Sequence, residues 1–277
     1  MRRTVARPAE LSGTGLHTGA SVRLRVEPAR AGTGVRFVRG DLGGREIPAG
    51  LAAVTLTDRR TTLRTGAERI DTVEHLLAAV YAAELHDLRI LLDGPEVPIL
   101  DGSFAPFVAL LEEAGVTEQE GRVRQLWIDR PLEVEDGTAR YEVRPATGLT
   151  LDLTLEYAEP VIGRQRVRFD ASRETFQREI APARTFGFLD EVEPLRQRGL
   201  LAGASAGCAM VLSPVAVLNT VPRWPDEFAR HKLGDLLGDL SLLEARLNLE
   251  IVAQRPSHRG NLTCGRALAR AARFTEE

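Results

Sequence analysis

Along the first half of the chain, residues 21–26, 34–38, 61–64 and 88–92 alternate apolar with polar positions at period two, the pattern of strands with one buried face. Two longer apolar stretches, 73–83 and 105–114, have the wider spacing of helices, and the second follows turn-forming residues at 93–95 and 101–103. The second half repeats the plan. Strands are expected near 126–128, 141–143, 149–157 and 167–169, helices over 189–198 and 228–246, and short strand-like runs at 210–212 and 249–252. Around 120–125 charge rises and apolar content falls, which divides the chain into an N-terminal α+β domain, 1–122, and a C-terminal α+β domain, 123–277. No strict sequence period is visible. Two similarly built halves, each a sheet with packed helices, is the economical architecture, with one histidine-bearing helix from each half meeting at the interface.

The segment 228–246 carries the strongest chemical signal, because His231, Asp235 and Asp239 recur at every fourth position and so neighbour one another on a helix. Leu233, Leu236, Leu237, Leu240, Leu243 and Leu247 share an arc of the far side. Gly234 and Gly238 fall on the polar side, where each costs roughly 0.5–1 kcal/mol against alanine unless something must approach the backbone closely. An imidazole and a carboxylate at this spacing can share one small cation, as in zinc-binding helices; on spacing alone, a surface helix with solvated acids also fits. In the other half, Asp71 reads as a helix N-cap and Glu74 as its capping-box partner. That box accounts for Glu74 but not for His75 beside it, which precedes an apolar run at a buried first turn.

Composition narrows the classes. With 277 residues, 43% of them apolar, the chain can bury one large core or two ordinary ones. A formal charge of −3 gives no basic footprint, so nucleic acid is not an expected partner. No apolar run follows the basic start and none reaches the roughly 18 residues of a membrane span, so the expectation is a cytoplasmic chain without a transmembrane segment and with at most peripheral membrane contact. Cys208 and Cys264 match no metal or redox spacing and read as free thiols. Of the 36 basic residues, the one lysine is Lys232, directly after His231, a position that favours a flexible ammonium over a planar guanidinium.

Seven segments in order carry a family resemblance: Gly13-Thr14-Gly15-Leu16-His17-Thr18-Gly19, Arg60-Thr61-Thr62-Leu63, Val73-Glu74-His75-Leu76-Leu77, the Pro95-to-Ser103 loop, Pro160-Val161-Ile162-Gly163, Ala183-Arg184-Thr185-Phe186-Gly187-Phe188 and Arg230-His231-Lys232-Leu233-Gly234-Asp235. Over nearly its whole length the chain resembles the zinc-dependent UDP-3-O-acyl-N-acetylglucosamine deacetylases of lipid A synthesis. The resemblance implies two α+β domains with helices sandwiched between their sheets, and one Zn²⁺ held by His75, His231 and Asp235. It further implies Glu74 as general base, His258 as general acid oriented by Asp239, and Thr185 and Lys232 as stabilisers of developing charge. The substrate, a UDP-linked acylated amino sugar, would meet His17 and Phe186, with its fatty chain along a passage that includes Leu189, Val192, Leu201, Ser205 and Ala209.

Two departures from the family pattern stand out. An acidic residue is replaced by Gly207 in the segment 203–209, and Ser257 stands where glycine is usual, which brings the acyl passage and the mobility of a His258 loop into question. The leading expectation is therefore deacetylation of the acylated UDP-amino sugar. Zinc chemistry on another N-acyl amino sugar, or a zinc-binding non-catalytic homologue, are the alternatives.

Overall fold

The computed structural model describes residues 1–56 and 59–276. While the segments at 61–64 and 126–128 enter three-stranded sheets, most of its period-two segments enter two five-stranded sheets of identical topology. In the first, the order is Ala9–Thr14, Ser21–Pro28, Leu88–Leu92, Val35–Arg39 and Arg45–Pro48; in the second, Leu132–Asp136, Ala139–Pro145, Leu249–Gln254, Leu149–Glu156 and Arg164–Asp170. Each sheet is two antiparallel hairpins separated by a gap, which the last strand in sequence fills, parallel to one neighbour and antiparallel to the other. The alternation works as expected: Val22, Leu24 and Val26 turn inward while Arg23 and Arg25 face out.

Six α-helices accompany the sheets among the described residues: α1 (Glu74–Ala82), α2 (Ala105–Ala114), α3 (Arg173–Thr175), α4 (Leu189–Gln197), α5 (Glu227–Ser241) and α6 (His258–Ala271). Helix α1 leads into the central strand of the first sheet and α2 follows it; α5 and α6 bear the same relation to the second. The halves also accept insertions at the same point, between the fifth strand and the first of these helices. In the first half the insertion is a three-stranded sheet, Val54–Leu56, Thr61–Thr65 and Glu68–Asp71; in the second it holds Phe186–Phe188, α4 and Met210–Leu212, two short parallel strands joined through a helix. Helices α1 and α5 pack together more extensively than any other helix pair.

Glycine sets the closeness of that packing. A Cβ on Gly238 would lie 2.1 Å from the carbonyl oxygen of Glu74, and one on Gly234 would lie 2.2 Å from the Phe104 ring. The polar arc of α5 is consequently not solvated. His231, Asp235 and Asp239 are all at most 2% exposed, facing α1 and the site rather than water.

Three sequence expectations are corrected. Helix α5 stops at Ser241, not near Arg246, although Leu243 and Leu247 remain buried; an apolar period persists beyond a helix end whenever the next segment still lies on the core. Asp71 does not cap α1. It ends a strand, Thr72 follows with φ 60°, and Val73 occupies the cap position without a side-chain bond, so the Glu74 carboxylate is free for another partner. His258 does not sit in a loop: it opens α6, where the Ser257 side chain accepts from Gly260 N, so the serine that replaces the usual glycine is a helix cap.

Gly238→Ala is expected to destabilise the fold by about 1–3 kcal/mol or more, since the obstructing atom is backbone and cannot rotate away. Gly207→Ala, whose added methyl meets only the Ser205 hydroxyl at 3.8 Å, should lie within about 0.5 kcal/mol of the parent. Equal denaturation midpoints for the two variants would contradict the close-approach reading.

Candidate active site and metal centre

Three helices place the chemistry. Glu74 and His75 occupy the first turn of α1, His231, Lys232, Asp235 and Asp239 line one side of α5, and His258 begins α6. The four-residue repeat on α5 puts its imidazole and carboxylates in register along the helix, and the glycines between them let the first turn of α1 settle against them.

His75, His231 and Asp235 form a buried cluster whose ligand atoms all lie within 4.8 Å of one another. Each Nε2 is 3.4 Å from Asp235 Oδ1, a buried oxygen with no hydrogen-bond partner. His231 Nδ1 lies 3.1 Å from the carbonyl of Ala183. A carbonyl can only accept, so the proton sits on Nδ1 and a lone pair on Nε2 faces the carboxylate. Burial pushes His231 down to about 3, which keeps the ring neutral and ligand-competent. Burial alone would raise the Asp235 carboxyl, but the Lys232 ammonium outweighs it and holds the group well below the usual range. Lys232 Nζ bonds the other oxygen, Oδ2, at 2.8 Å and leaves Oδ1 open. Lone pairs converging on an unsatisfied anionic oxygen are resolved by a cation, and two imidazoles with one carboxylate suit zinc better than the all-oxygen shell preferred by calcium or magnesium.

Beside this cluster lies a second buried group. Glu74 Oε2 accepts from Thr61 N at 3.0 Å, and Oε1 stands 3.8 Å from His258 Nε2. His258 Nδ1 contacts Asp239 Oδ2 at 2.9 Å, which directs Nε2 toward Glu74 and toward Asp235 Oδ2 at 3.6 Å. Burial raises the Glu74 carboxyl, partly offset by His258 and His75. For His258, burial acts to lower the pKa, but Asp239 and Glu74 prevail and lift it to about 9.

The cluster opens into a cavity of about 1130 Å³. Its walls include the other residues to which the family resemblance gives a site role, Thr185, Lys232, His17, Phe186, Leu189, Val192, Leu201, Ser205 and Ala209, except Asp239, which lies behind the wall and reaches the site through His258. His17 is 3% exposed with Nδ1 unpartnered, and burial pushes it down to about 4. Its loop is held by buried Glu96, which accepts from the backbone N of His17 and Thr18 and from the hydroxyls of Thr18 and Thr72. The second-half insertion rests on the same loop, with Ala202 N and Gly203 N donating to the carbonyls of His17 and Leu16.

Sequence reading gave no role to Thr61, Phe104, Glu96 or Asn261. Thr61 lies within the Arg60-to-Leu63 motif but carries no charge to mark it. Phe104 packs its ring 4.9 Å from His75 and 5.1 Å from His231, an apolar support that composition could not distinguish from ordinary core. Asn261 donates to Asp239 Oδ2 at 2.8 Å from within α6, a helix the strand-and-loop reading had not recognised.

A sequence profile of the UDP-3-O-acyl N-acetylglycosamine deacetylase family matches residues 2–270. Among similar proteins, the UDP-3-O-acyl-N-acetylglucosamine deacetylase of Myxococcus xanthus (strain DK1622) is 44% identical over 259 residues, 93% of this chain and 82% of the relative. The proteins of that name from Anaeromyxobacter sp. (strain Fw109-5) and Nautilia profundicola are both 41% identical, covering 93% and 87% of this chain and 84% and 82% of their own. Likeness over this span, together with the buried constellation, means that the chain belongs to the UDP-3-O-acyl N-acetylglycosamine deacetylase family.

Proposed function

We propose that this enzyme hydrolyses the N-acetyl amide of UDP-3-O-acyl-N-acetylglucosamine, a step of lipid A biosynthesis, with one Zn²⁺ held by His75, His231 and Asp235. The observation that carries the reading is the unsatisfied Asp235 Oδ1 between two imidazole Nε2 atoms, with a carboxylate and a second imidazole beside it. When bound, zinc supplies a coordinated water of lowered pKa and polarises the amide carbonyl.

The chain's own groups divide the remaining work. Glu74, held at Oε2 and with its basicity raised by burial, takes a proton from the attacking water at Oε1. His258, charged at neutral pH, gives its Nε2 proton to the departing amine while Asp239 holds Nδ1. Thr185 and Lys232 stabilise the negative charge that develops on the amide oxygen. His17 and Phe186 bind the sugar end, and Leu189, Val192, Leu201, Ser205 and Ala209 line the passage for the fatty chain, a reading supported by their place on one cavity wall.

No described helix is long and apolar enough to cross a membrane, and we place the reaction in the cytoplasm, with a small-molecule UDP-sugar as partner. We also set the domain boundary at 122–123. It is supported by strand Val116–Gln119 pairing with Arg2–Val5 and strand Arg124–Trp127 pairing with Arg246–Leu247 and Arg273–Glu276. A sandwich of helices between the sheets is supported by the packing of α2 on Ala9–Thr14 and of α5 on Leu149–Glu156.

Acetate release from the acylated UDP-sugar should stop on chelation and return with zinc. His75→Ala, His231→Ala and Asp235→Ala are each expected to lower zinc content; stoichiometric zinc in all three would show the ligand set to be wrong. Glu74→Gln and His258→Ala should retain zinc and lose kcat by about 10²–10⁴, the range of a general base or acid. Near-normal turnover in either removes that residue from the mechanism.

The activity should be bell-shaped in pH. Because Asp239 raises the His258 pKa, Asp239→Asn should move the basic limb to lower pH as well as reduce kcat. An unmoved limb argues against the pairing. Substrate length provides a separate test: at about 0.8 kcal/mol per buried methylene, removing four carbons should lower kcat/KM by up to about two powers of ten. Ala209→Phe should hurt the long-chain substrate far more than a short one, and indifference to acyl length would favour a soluble N-acyl amino sugar.

A further inference from the structure

Thr61 begins the strand Thr61–Thr65 in the first-half insertion and is fully buried. Its two donors diverge. The backbone N–H goes to Glu74 Oε2 at 3.0 Å, while the hydroxyl goes to Asp239 Oδ1 at 2.5 Å, on a residue 178 positions further along the chain. Asp239 therefore has both oxygens engaged, Oδ2 by His258 Nδ1 and Asn261 Nδ2 and Oδ1 by Thr61. Asn261 is itself held, because its Oδ1 accepts from the Tyr141 hydroxyl at 2.8 Å. Thr62 points the other way along the alternating strand, its hydroxyl bonding Asp71 at 2.8 Å.

We propose that Thr61 is a positioning residue that ties the general base to the carboxylate behind the general acid, fixing Glu74 and His258 relative to each other across the reacting amide. The inference rests on the roles given above to Glu74, Asp239 and His258. A buried carboxylate that loses one of its donors either rotates to find another or stays unsatisfied, and both outcomes disturb the Nδ1 contact that aims His258 Nε2 at the site. The backbone N–H anchors Glu74 independently of the side chain. Removing only the hydroxyl thus separates the tie to Asp239 from the tie to Glu74.

The test uses the zinc-loaded full chain with Thr61→Val, which keeps the shape and the N–H, Thr61→Ser, which keeps the hydroxyl, and Thr62→Val, a buried threonine–carboxylate pair outside the machinery. Thr61→Val is expected to lower kcat about 10–100-fold with KM within about twofold and zinc content unchanged, Thr61→Ser to recover most of the loss, and Thr62→Val to turn over like the parent. Combined with Asp239→Ala, Thr61→Val should add less than about a twofold further loss, since a residue acting through Asp239 has nothing left to position. The proposal is overturned if Thr61→Val keeps parental kcat, if it loses zinc along with activity, if serine does no better than valine, or if the same fold-loss recurs without Asp239. If Asp239→Ala itself turns over normally, the acid–carboxylate pairing of the proposed mechanism falls, and this inference with it; if Asp239→Ala is impaired while Thr61→Val is not, only the role of Thr61 falls.

Discussion

Backbone against backbone, where α1 meets α5, is the contact on which the rest of the structure depends. Gly238 lets the carbonyl of Glu74 approach to a distance that any side chain would forbid, and Gly234 makes room for Phe104 beneath the two imidazoles. Two helices from different halves are thereby brought close enough for His75 and His231 to reach the same oxygen of Asp235. Glycine within a helix weakens it locally. Here the loss is offset by tertiary packing along α5, whose leucines at 233, 236, 237 and 240 are all at most 1% exposed.

Burying so many ionisable groups together is costly unless each is satisfied, and the site is organised around that requirement. Asp235 has the Lys232 ammonium at one oxygen, so it stays ionised while the other is left open between two imidazoles; Glu74, buried with one backbone donor, rises; His258 sits against carboxylates and keeps its proton. Environments that push titratable groups apart in this way suit similar side chains to the different tasks proposed for them, one as a ligand, one as a base, one as a support for an acid. Holding these groups on the first turns of α1 and α6 and along α5, rather than on loops, keeps their geometry fixed before substrate arrives.

The duplicated plan explains how two halves with the same sheet topology come to do different work. Both carry an insertion ahead of the interface helix. In the first half it is a small sheet whose strand delivers Thr61 to the buried carboxylates; in the second it is a strand–helix–strand unit that builds the cavity wall and rests on the His17 loop. The shared framework supplies the histidine-bearing helices, and the insertions supply what distinguishes the site.

The sequence alone determined the strands with one buried face, since alternation is a local consequence of the pleat, and it determined that His231, Asp235 and Asp239 share one face of α5, since four-residue spacing is a local consequence of the helix. Two similarly built halves were also legible in the order of the elements. It could not say where α5 ends, because Leu243 and Leu247 stay buried past the helix end and prolong its apolar period, nor that Glu74 is freed from capping its own helix, because that depends on Thr72 taking a positive φ between a strand and the helix. His258 was legible as a residue but not as the first position of a capped helix, although Ser257 carried the signal. The link from Thr61 to Asp239, the support of Phe104 under both imidazoles and the convergence on Asp235 Oδ1 were decided by tertiary structure only, because each joins residues far apart in sequence through a contact that neither local pattern requires.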